Sequence, residues 1–409
     1  MSLIAVISEF HPFHYGHAYL LEEAKRLTGA EHTLSVMSGN FTQQGMPMYW
    51  DKLTRAAAAC AGGTDLIFEL PVLFATGSAG DFARGAVTLL EQLNCVDHLC
   101  FGVEDTESEI FEKITDILME EPLKYRIRLK EALEAGLSFP AAREDALLSI
   151  LGEDAVPLLS RPNNILALEY LLALKKLSSG IRPIMIRRRG DYHGGNSGTF
   201  ASATDIRNYI SGHITEKISL PDGSMPAASR NITEQAGYAL HHPEDTLSSL
   251  LAAAMLSAQP GLSPGELPMD MTPELFKRLT ELGLPVSWED ALNALNTKNV
   301  TRGRACRALL HMLLGVTNRD RNIINGTNEP LYLNLLAARN ESTFLLKEMI
   351  ASAGCSIITK RSRFRPAEGS PAALLWKYDQ KATGLYNQLI YQSFGIRKKD
   401  ELRSSPVIV

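Results

Sequence analysis

The chain has 409 residues, of which 45% are hydrophobic and 21% are charged, a composition typical of a globular protein of two or three domains. No apolar run approaches the roughly 18 residues that a membrane-spanning helix requires, so the sequence predicts neither an integral membrane protein nor a membrane partner. The first residues lack the basic and apolar regions of a signal peptide, and we therefore expect a cytoplasmic location. The five cysteines include no C-x-x-C pair, which argues against a disulfide framework or a thiolate zinc site.

The formal net charge of −5 hides an uneven distribution along the chain. Residues 1–215 contain 19 Lys and Arg against 27 Asp and Glu, whereas the segment 298–365 contains 12 basic and four acidic residues, a net charge of +8. A concentration of positive charge of this kind is typical of a surface that binds a polyanion. A solvated helical face is the alternative interpretation of the same run.

Short apolar runs and helical periodicity alternate through the first half of the chain. The predicted strands are at 3–8, 33–37, 66–70, 98–102 and 184–188. One predicted helix follows the first strand, and further helices are predicted at 51–61, 79–93, 122–135 and 164–177. This alternation predicts an α/β fold in which a Rossmann-like parallel sheet is covered by helices on both faces.

A stretch rich in Gly, Pro and Ser at 211–228 interrupts this alternation, and beyond it the strand signals mostly disappear. We therefore predict a domain boundary that separates residues 1–215 from residues 216–409. The second part is predicted to be mainly helical, with periodic segments at 244–257, 273–282, 288–295, 303–314, 330–339, 343–353 and 371–391.

The segment from Ser8 to His17, Ser-Glu-Phe-His-Pro-Phe-His-Tyr-Gly-His, lies between the first predicted strand and the first predicted helix. A helix N-terminus at this edge of a parallel sheet offers unpaired backbone N–H groups to an anion such as phosphate. Gly16 permits close approach of the backbone, and His14 and His17 can direct ring N–H donors at the same phosphate. Local packing or capping is one alternative for these histidines and a metal site is another, although no Cys or carboxylate cluster completes a ligand set.

This segment resembles the phosphate loop of the HIGH-superfamily nucleotidyltransferases, whose pattern is G-x-F-D-P-x-H-x-G-H. Ser8 stands in place of the glycine of that pattern, and His11 stands in place of its aspartate. The residues that agree with the pattern are Phe10, Pro12, His14, Gly16 and His17.

A second segment, 201–207, resembles the I-S-S-T-x-I-R element of the same superfamily. Ser202, Thr204, Ile206 and Arg207 match this element. Hydroxyl groups at a helix start, with an arginine one turn later, would hold the β- and γ-phosphates and neutralise the charge that develops on pyrophosphate as it leaves. An ordinary helix N-cap is the alternative.

Further segments occur in the order seen in bacterial tRNA(Met) cytidine acetate ligases, and the whole chain resembles that family. In the first half they are 36–45, 65–71, 101–102, 161–166, Arg188 and Tyr192. In the second half the agreement is looser and covers 297–302, 309–311, 358–360 and 385–386. The resemblance implies that ATP and acetate form acetyl-adenylate and pyrophosphate, and that the acetyl group is transferred to the exocyclic amine of the wobble cytidine of elongator tRNA(Met).

The resemblance also implies roles for individual residues. Catalytic roles fall to His14, His17 and Arg207. The ATP-binding residues would be Ile7, Ser8, Glu9, Phe10, His11, Pro12, Phe13, His14, Tyr15, Gly16, His17, Ala18, Tyr19, Leu20, Gly102, Asn163, Arg188, Ser202 and Thr204. The bland alternatives are a turn glycine at Gly102, a helix cap at Asn163 and a surface ion pair at Arg188.

The expected tRNA-binding residues lie in the basic segment and are Lys298, Arg302, Arg304, Arg307 and Lys360. ATP is expected to bind together with Mg²⁺, and the sequence indicates neither a metal site built from protein ligands nor a stable protein partner.

Two other classes of function have to be weighed. A small-molecule adenylyltransferase would use the same loop on a phosphate monoester such as nicotinate mononucleotide or phosphopantetheine, but it has no need of a basic helical half. A non-catalytic RNA-binding protein with a vestigial nucleotide site is disfavoured, because His14, Gly16, His17 and Arg207 are all present.

Overall fold

The computed structural model describes residues 2–152, 156–188, 201–212, 220–221, 223–259 and 261–409. Its strands are β1 (Leu3–Ser8), β2 (His32–Ser38), β3 (Leu66–Leu70), β4 (His98–Val103), β5 (Arg182–Arg187), β6 (Tyr332–Ala338), β7 (Ser356–Ile358) and β8 (Val407–Ile408). They form one sheet in the order β5-β4-β1-β2-β3-β6-β7, with β8 paired to β6. Strands β1 to β5 are parallel to one another, and β6 joins β3 in the antiparallel sense.

The helices of the first half are α1 (Tyr15–Thr28), α2 (Lys52–Ala61), α3 (Val72–Ala75), α4 (Ala79–Gln92), α5 (Ser108–Glu120), α6 (Leu123–Glu134), α7 (Phe139–Leu151), α8 (Val156–Ser160), α9 (Pro162–Lys176) and α10 (Ala203–Gly212). Those that follow are α11 (Ala227–Gln235), α12 (Glu244–Leu256), α13 (Pro273–Glu281), α14 (Trp288–Leu295), α15 (Arg302–Leu314), α16 (Asn318–Asn325), α17 (Phe344–Ser352) and α18 (Pro371–Phe394). Within the described ranges, no helix is both long and apolar enough to cross a membrane.

Strand β1 shows how the sheet is buried on both faces. Leu3, Ala5 and Ile7 pack into one core cluster, while Ile4 and Val6 pack into another. Successive side chains of a strand point to opposite faces, so a strand with helices on both sides needs an uninterrupted apolar run. Helices α1 and α2 cover one face of the sheet, and α4 and α9 cover the other.

The predicted α/β fold class is confirmed, and the five parallel strands lie within two residues of their predicted bounds. The predicted helix at 330–339 is wrong, because Tyr332–Ala338 is strand β6 with all seven residues buried. A short apolar run does not distinguish a buried strand from a buried helix, and pairing with β3 decides the outcome here. The predicted boundary between 215 and 216 lies outside the described residues, so the division into two domains stays a prediction.

A buried ionic network fastens the C-terminal segment to the sheet. The ammonium group of Lys52 lies 2.7 Å from Glu69 of β3 and 2.5 Å from Glu401, close to the C-terminus. Arg361 donates to Asn334 of β6 at 3.0 Å and pairs with Glu401 at 2.9 Å. Burial alone would lower the pKa of Lys52, but the Glu401 and Glu69 carboxylates raise it, so its charge is retained. The network therefore joins residues from five parts of the chain: α2, β3, β6 and the segments around Arg361 and Glu401.

A candidate nucleotide-binding site at the edge of the sheet

The residues expected to bind ATP converge on one edge of the sheet. The loop 9–14, which we term the nucleotide loop, follows β1. Gly102 lies near the end of β4, and Arg188 follows β5 directly. These three strands are adjacent and parallel, so their carboxyl ends meet at the same edge. This edge, with the N-terminus of α1 pointing at it, is where parallel α/β sheets bind nucleotides.

His14 and His17 are held by the backbone at the start of α1. The Nδ1 atom of His14 accepts a hydrogen bond from the N–H of Gly16 at 3.0 Å, and Nδ1 of His17 accepts from the N–H of His14 at 3.2 Å. The ring centroids of the two histidines are 4.0 Å apart. Both rings therefore take part in capping the start of α1, which was one of the alternatives for these histidines. The Nε2 atom of each ring is directed away from the cap.

The electrostatics of the loop favour neutral imidazoles. Burial, followed by the positive charges of Arg188 and Arg207, lowers the pKa of His14 to about 4. Burial, then His14 and Arg188, holds the pKa of His17 well below its usual range. A neutral ring whose Nδ1 accepts a hydrogen bond carries its proton on Nε2. Both histidines are therefore N–H donors at neutral pH without being charged.

Arg207 of α10 brings the second motif to the same loop. It donates to the carbonyl oxygen of His11 at 2.6 Å and to the hydroxyl of Thr204 at 3.0 Å. Ser202 accepts from the N–H of Asp205 at 3.2 Å and donates to its carboxylate at 2.7 Å, so the N-cap alternative holds for this serine. The contact with His11 nevertheless places Arg207 beside the nucleotide loop, across 196 residues of sequence.

Asn163 and Arg188 lie together beside Gly102. Arg188 donates to the amide oxygen of Asn163 at 3.3 Å, and a Cβ atom added to Gly102 would lie 3.1 Å from Cγ of Arg188. The glycine thus makes room for the arginine stem. Helix α9 begins at Pro162 and its N-cap is Arg161, so Asn163 is not a helix cap, the bland alternative raised for it.

Two supporting residues were not predicted from the sequence. Glu104 accepts hydrogen bonds from the side-chain N–H of Asn163 and, at 3.1 Å, from the backbone N–H of Asn164. The sequence feature that could have indicated Glu104 is its position two residues after Gly102, at the end of a strand. Arg55, 2% exposed, donates to the carbonyl oxygens of Glu9 at 2.5 Å and Trp50 at 3.0 Å. The sequence feature that could have indicated Arg55 is an arginine on the buried face of the alanine-rich helix α2.

Arg55 also supports a strained stretch of backbone. Phe10, buried between Glu9 and His11, has φ of 45°, a left-handed conformation that costs free energy for a bulky side chain. The backbone N–H of Gln43 donates to the Glu9 carboxylate at 2.6 Å, which fixes the loop from the opposite side. The surrounding hydrogen bonds thus hold the nucleotide loop in one conformation.

The expected tRNA-binding residues are not part of this cluster. Lys298 and Lys360 are exposed, and Arg302 forms a two-fold hydrogen bond with Glu289 at 3.0 and 2.6 Å. Arg304 donates to the backbone carbonyl of Asp270 at 3.2 Å. The side chain of Arg307 is 11% exposed and pairs with the Asp270 carboxylate at 2.8 Å, which gives it a structural partner.

Tyr192, which belongs to the resemblance, lies outside the described residues. Within the part of the chain that the structure covers, no three His, Cys, Asp or Glu side chains are grouped so as to hold a metal ion.

A family model described as HIGH Nucleotidyl Transferase matches residues 1–401, which agrees with the loop and sheet geometry and gives the class of protein. A tRNA(Met) cytidine acetate ligase of Caldanaerobacter subterraneus is 35% identical over 405 residues, 98% of each chain. One of Acetivibrio thermocellus is 32% identical over the full length of both chains. The crystal structure of Thermotoga maritima TmcAL bound with alpha-thio ATP has a TM-score of 0.85 and 29% identity, with both chains covered completely. The chain belongs to the tRNA(Met) cytidine acetate ligase family.

Proposed function

We propose that this protein is an ATP-dependent ligase that acetylates the exocyclic amine of the wobble cytidine in elongator tRNA(Met), through an acetyl-adenylate intermediate. The observation that carries the proposal is the cluster of His14, His17, Arg188 and Arg207 around one helix N-terminus at the sheet edge. Full-length relatives named for this activity, and a neighbouring structure that binds an ATP analogue, support it.

In the first step, an acetate oxygen attacks the α-phosphorus of ATP and the bond to pyrophosphate breaks. This reaction needs positioned reactants and stabilised charge rather than a nucleophile from the protein. The Nε2–H groups of His14 and His17 are the donors for the phosphate oxygens, and Arg207 and Arg188 supply positive charge for the leaving pyrophosphate. Because their backbone hydrogen bonds fix the rings, little rearrangement is needed in the transition state.

In the second step, the amine nitrogen of cytidine attacks the acetyl carbonyl carbon, AMP leaves, and the amine loses one proton. The tRNA is proposed to lie along the second half of the chain, 216–409, where Lys298, Arg304 and Lys360 are available for its phosphates. Arg302 and Arg307 would have to leave carboxylate partners before binding phosphate.

The proposal also covers the metal ion that accompanies ATP, the location of the protein and its partners. Mg²⁺ is proposed to enter with the ATP phosphates, because this ion keeps several of its waters and is usually bound through substrate phosphates and one or two carboxylates. A cytoplasmic location fits a substrate that is a tRNA, and the proposal needs no stable protein partner.

The test combines the protein with ATP, isotopically labelled acetate and purified tRNAs, followed by mass spectrometry of the nucleosides. Labelled N4-acetylcytidine in elongator tRNA(Met), together with acetate-dependent exchange of pyrophosphate into ATP, is the expected result. Adenylylation of a phosphate monoester without any acetylation of tRNA would contradict the proposal and favour a small-molecule adenylyltransferase.

A further inference from the structure

A cavity of about 200 Å³ lies between the loop that follows β2 and helices α12, α14 and α15. Apolar side chains form part of its wall, among them Met46, Trp288 and Leu292. Polar side chains, among them Gln44 and Arg302, lie beside them. A cavity with apolar walls and a few polar groups suits a flat heterocyclic ring better than an ion or a sugar.

The loop that lines the cavity also contacts the nucleotide loop. The N–H of Gln43 donates to the Glu9 carboxylate in the nucleotide loop at 2.6 Å, and the next residue, Gln44, lines the cavity. Adjacent residues are only about 3.8 Å apart along the backbone. Gly45 holds this loop against α15, because a Cβ atom there would lie 2.8 Å from Cα of Arg307. One loop therefore contacts both the nucleotide loop and the cavity.

The polar groups of the cavity match the edge of a nucleobase. The Glu289 carboxylate and the Arg302 guanidinium pair with each other at 3.0 and 2.6 Å. Within this pair, each carboxylate oxygen keeps a further lone pair as an acceptor for an exocyclic amine, and the guanidinium has further N–H groups as donors for ring nitrogens and carbonyl oxygens. The exposed side chain of Lys298 and the half-buried side chain of Arg304 lie on the segment that borders the cavity, where a phosphate backbone would need positive charge.

We propose that this cavity receives an unstacked base of the single-stranded anticodon loop, next in sequence to the cytidine that is acetylated. The inference rests on the proposed function and extends it by naming where the RNA is read. RNA-binding proteins generally recognise bases of loops that are splayed out of the stack, where both the ring face and the base edge are accessible. With a neighbouring base held on the far side of the loop at Gln44, the acceptor cytidine reaches the nucleotide side.

Gly303 provides a way to fill the cavity. This residue lies in the first turn of α15 and lines the cavity, and a Cβ atom added there would make an ordinary contact of 3.6 Å with Gln44. A small side chain is therefore accommodated, whereas a leucine at this position extends into the space for the base. Gly384 in α18 is exposed with no atom within 4 Å of an added Cβ, so Gly384→Leu is the matched control in another helix.

The experiment measures three quantities for the full-length wild type, Gly303→Leu and Gly384→Leu. They are the KM for tRNA in acetyl transfer, the Kd for a hairpin RNA of the anticodon stem and loop, and acetate-dependent exchange of pyrophosphate into ATP. We expect Gly303→Leu to raise the first two at least tenfold with the exchange rate retained, and Gly384→Leu to match the wild type. An unchanged KM and Kd in a folded Gly303→Leu protein would overturn the inference.

A second measurement does not depend on any variant. The wild type is irradiated with the same hairpin carrying 4-thiouridine at a loop position beside the cytidine, and the cross-linked peptides are mapped by mass spectrometry. Cross-links at Met46, Trp288 or the first turns of α15 are expected, and cross-links confined to other parts of the chain contradict the inference. Absence of acetylation by the wild type would instead refute the proposed function, so the two failures are distinguishable.

Discussion

The nucleotide loop and the basic segment 298–365 were both predicted from the sequence to bind substrates, but their side chains are held by different kinds of contact. In the loop, the rings of His14 and His17 are held by backbone groups two or three residues away. In the basic segment, Arg307 is held by a carboxylate 37 residues distant, and Arg361 by Glu401, 40 residues further along. The side-chain geometry of a local motif is therefore set by neighbouring residues. The number of charges that a basic run leaves unpaired depends instead on carboxylates elsewhere in the chain.

The difference changes how much positive charge the second region presents to a ligand. The net charge of +8 includes Arg361, which is 1% exposed within the buried network, and Arg321, which pairs with Asp81 at 2.7 Å. It also includes Arg302 and Arg307, whose carboxylate partners Glu289 and Asp270 lie outside the segment. The surface that remains for a polyanion is smaller than the count of residues indicates.

The largest expected effect comes from breaking the network that holds the C-terminal segment. Glu401→Ala leaves Lys52 and Arg361 buried with one carboxylate partner fewer, and removal of one member of a buried ion pair costs about 3–5 kcal/mol. Denaturant unfolding of the variant and the wild type measures this loss. The control is Arg403→Gln, whose side chain is 82% exposed and whose pair with Asp400 should contribute less than about 1 kcal/mol. Equal losses in both variants would show that burial of the network contributes nothing.

The next effect concerns activity. His14→Ala removes a donor for the phosphates and is expected to slow acetate-dependent pyrophosphate exchange by about 10²- to 10³-fold. The same change removes a helix cap, worth about 1 kcal/mol of stability.

His14→Asn separates these two contributions, because asparagine can cap the helix but lacks the Nε2–H donor. We expect it to restore most of the lost stability while the exchange rate stays low. If His14→Asn exchanges pyrophosphate at the wild-type rate, the ring acts only as a cap. His17→Ala tests the neighbouring donor in the same assay.

A smaller effect is a dependence of stability on pH. The pKa of His14 is lowered to about 4 by burial and by Arg188 and Arg207, whereas the unfolded chain binds the proton near pH 6.5. Stability is therefore complete above pH 6.5 and falls as the pH decreases towards 4, by about 2 kcal/mol between pH 7 and pH 5 for this group. Unfolding of the wild type and His14→Asn at both pH values measures it. The variant should lose less stability on acidification than the wild type, and an equal loss would mean that the His14 ring is not buried in the neutral form.

These contrasts explain what could be predicted from the sequence. The five parallel strands and the loop 8–17 were predicted because each depends on patterns within about ten residues. Strand β6 was not, since only its pairing with β3 distinguishes it from a helix. Glu104 and Arg55 were missed for the same reason, because the groups they contact come from other elements. The tRNA-binding residues remain predictions, and their ion pairs depend on the folded chain.

The smallest expected effect tests the exposed part of the basic segment. Lys298→Gln combined with Arg304→Gln removes two cations without breaking a side-chain ion pair described for either residue, whereas a change at Arg307 would leave Asp270 buried without its partner. If both cations contact phosphates, the logarithmic salt dependence of tRNA binding should become shallower by about 1.4 to 1.8 units, with affinity reduced several-fold. The control replaces Arg126 and Lys130, two exposed cations of α6, by glutamine. Filter binding at several salt concentrations decides the matter, and equal slopes for both double variants and the wild type would show that these cations only solvate the surface.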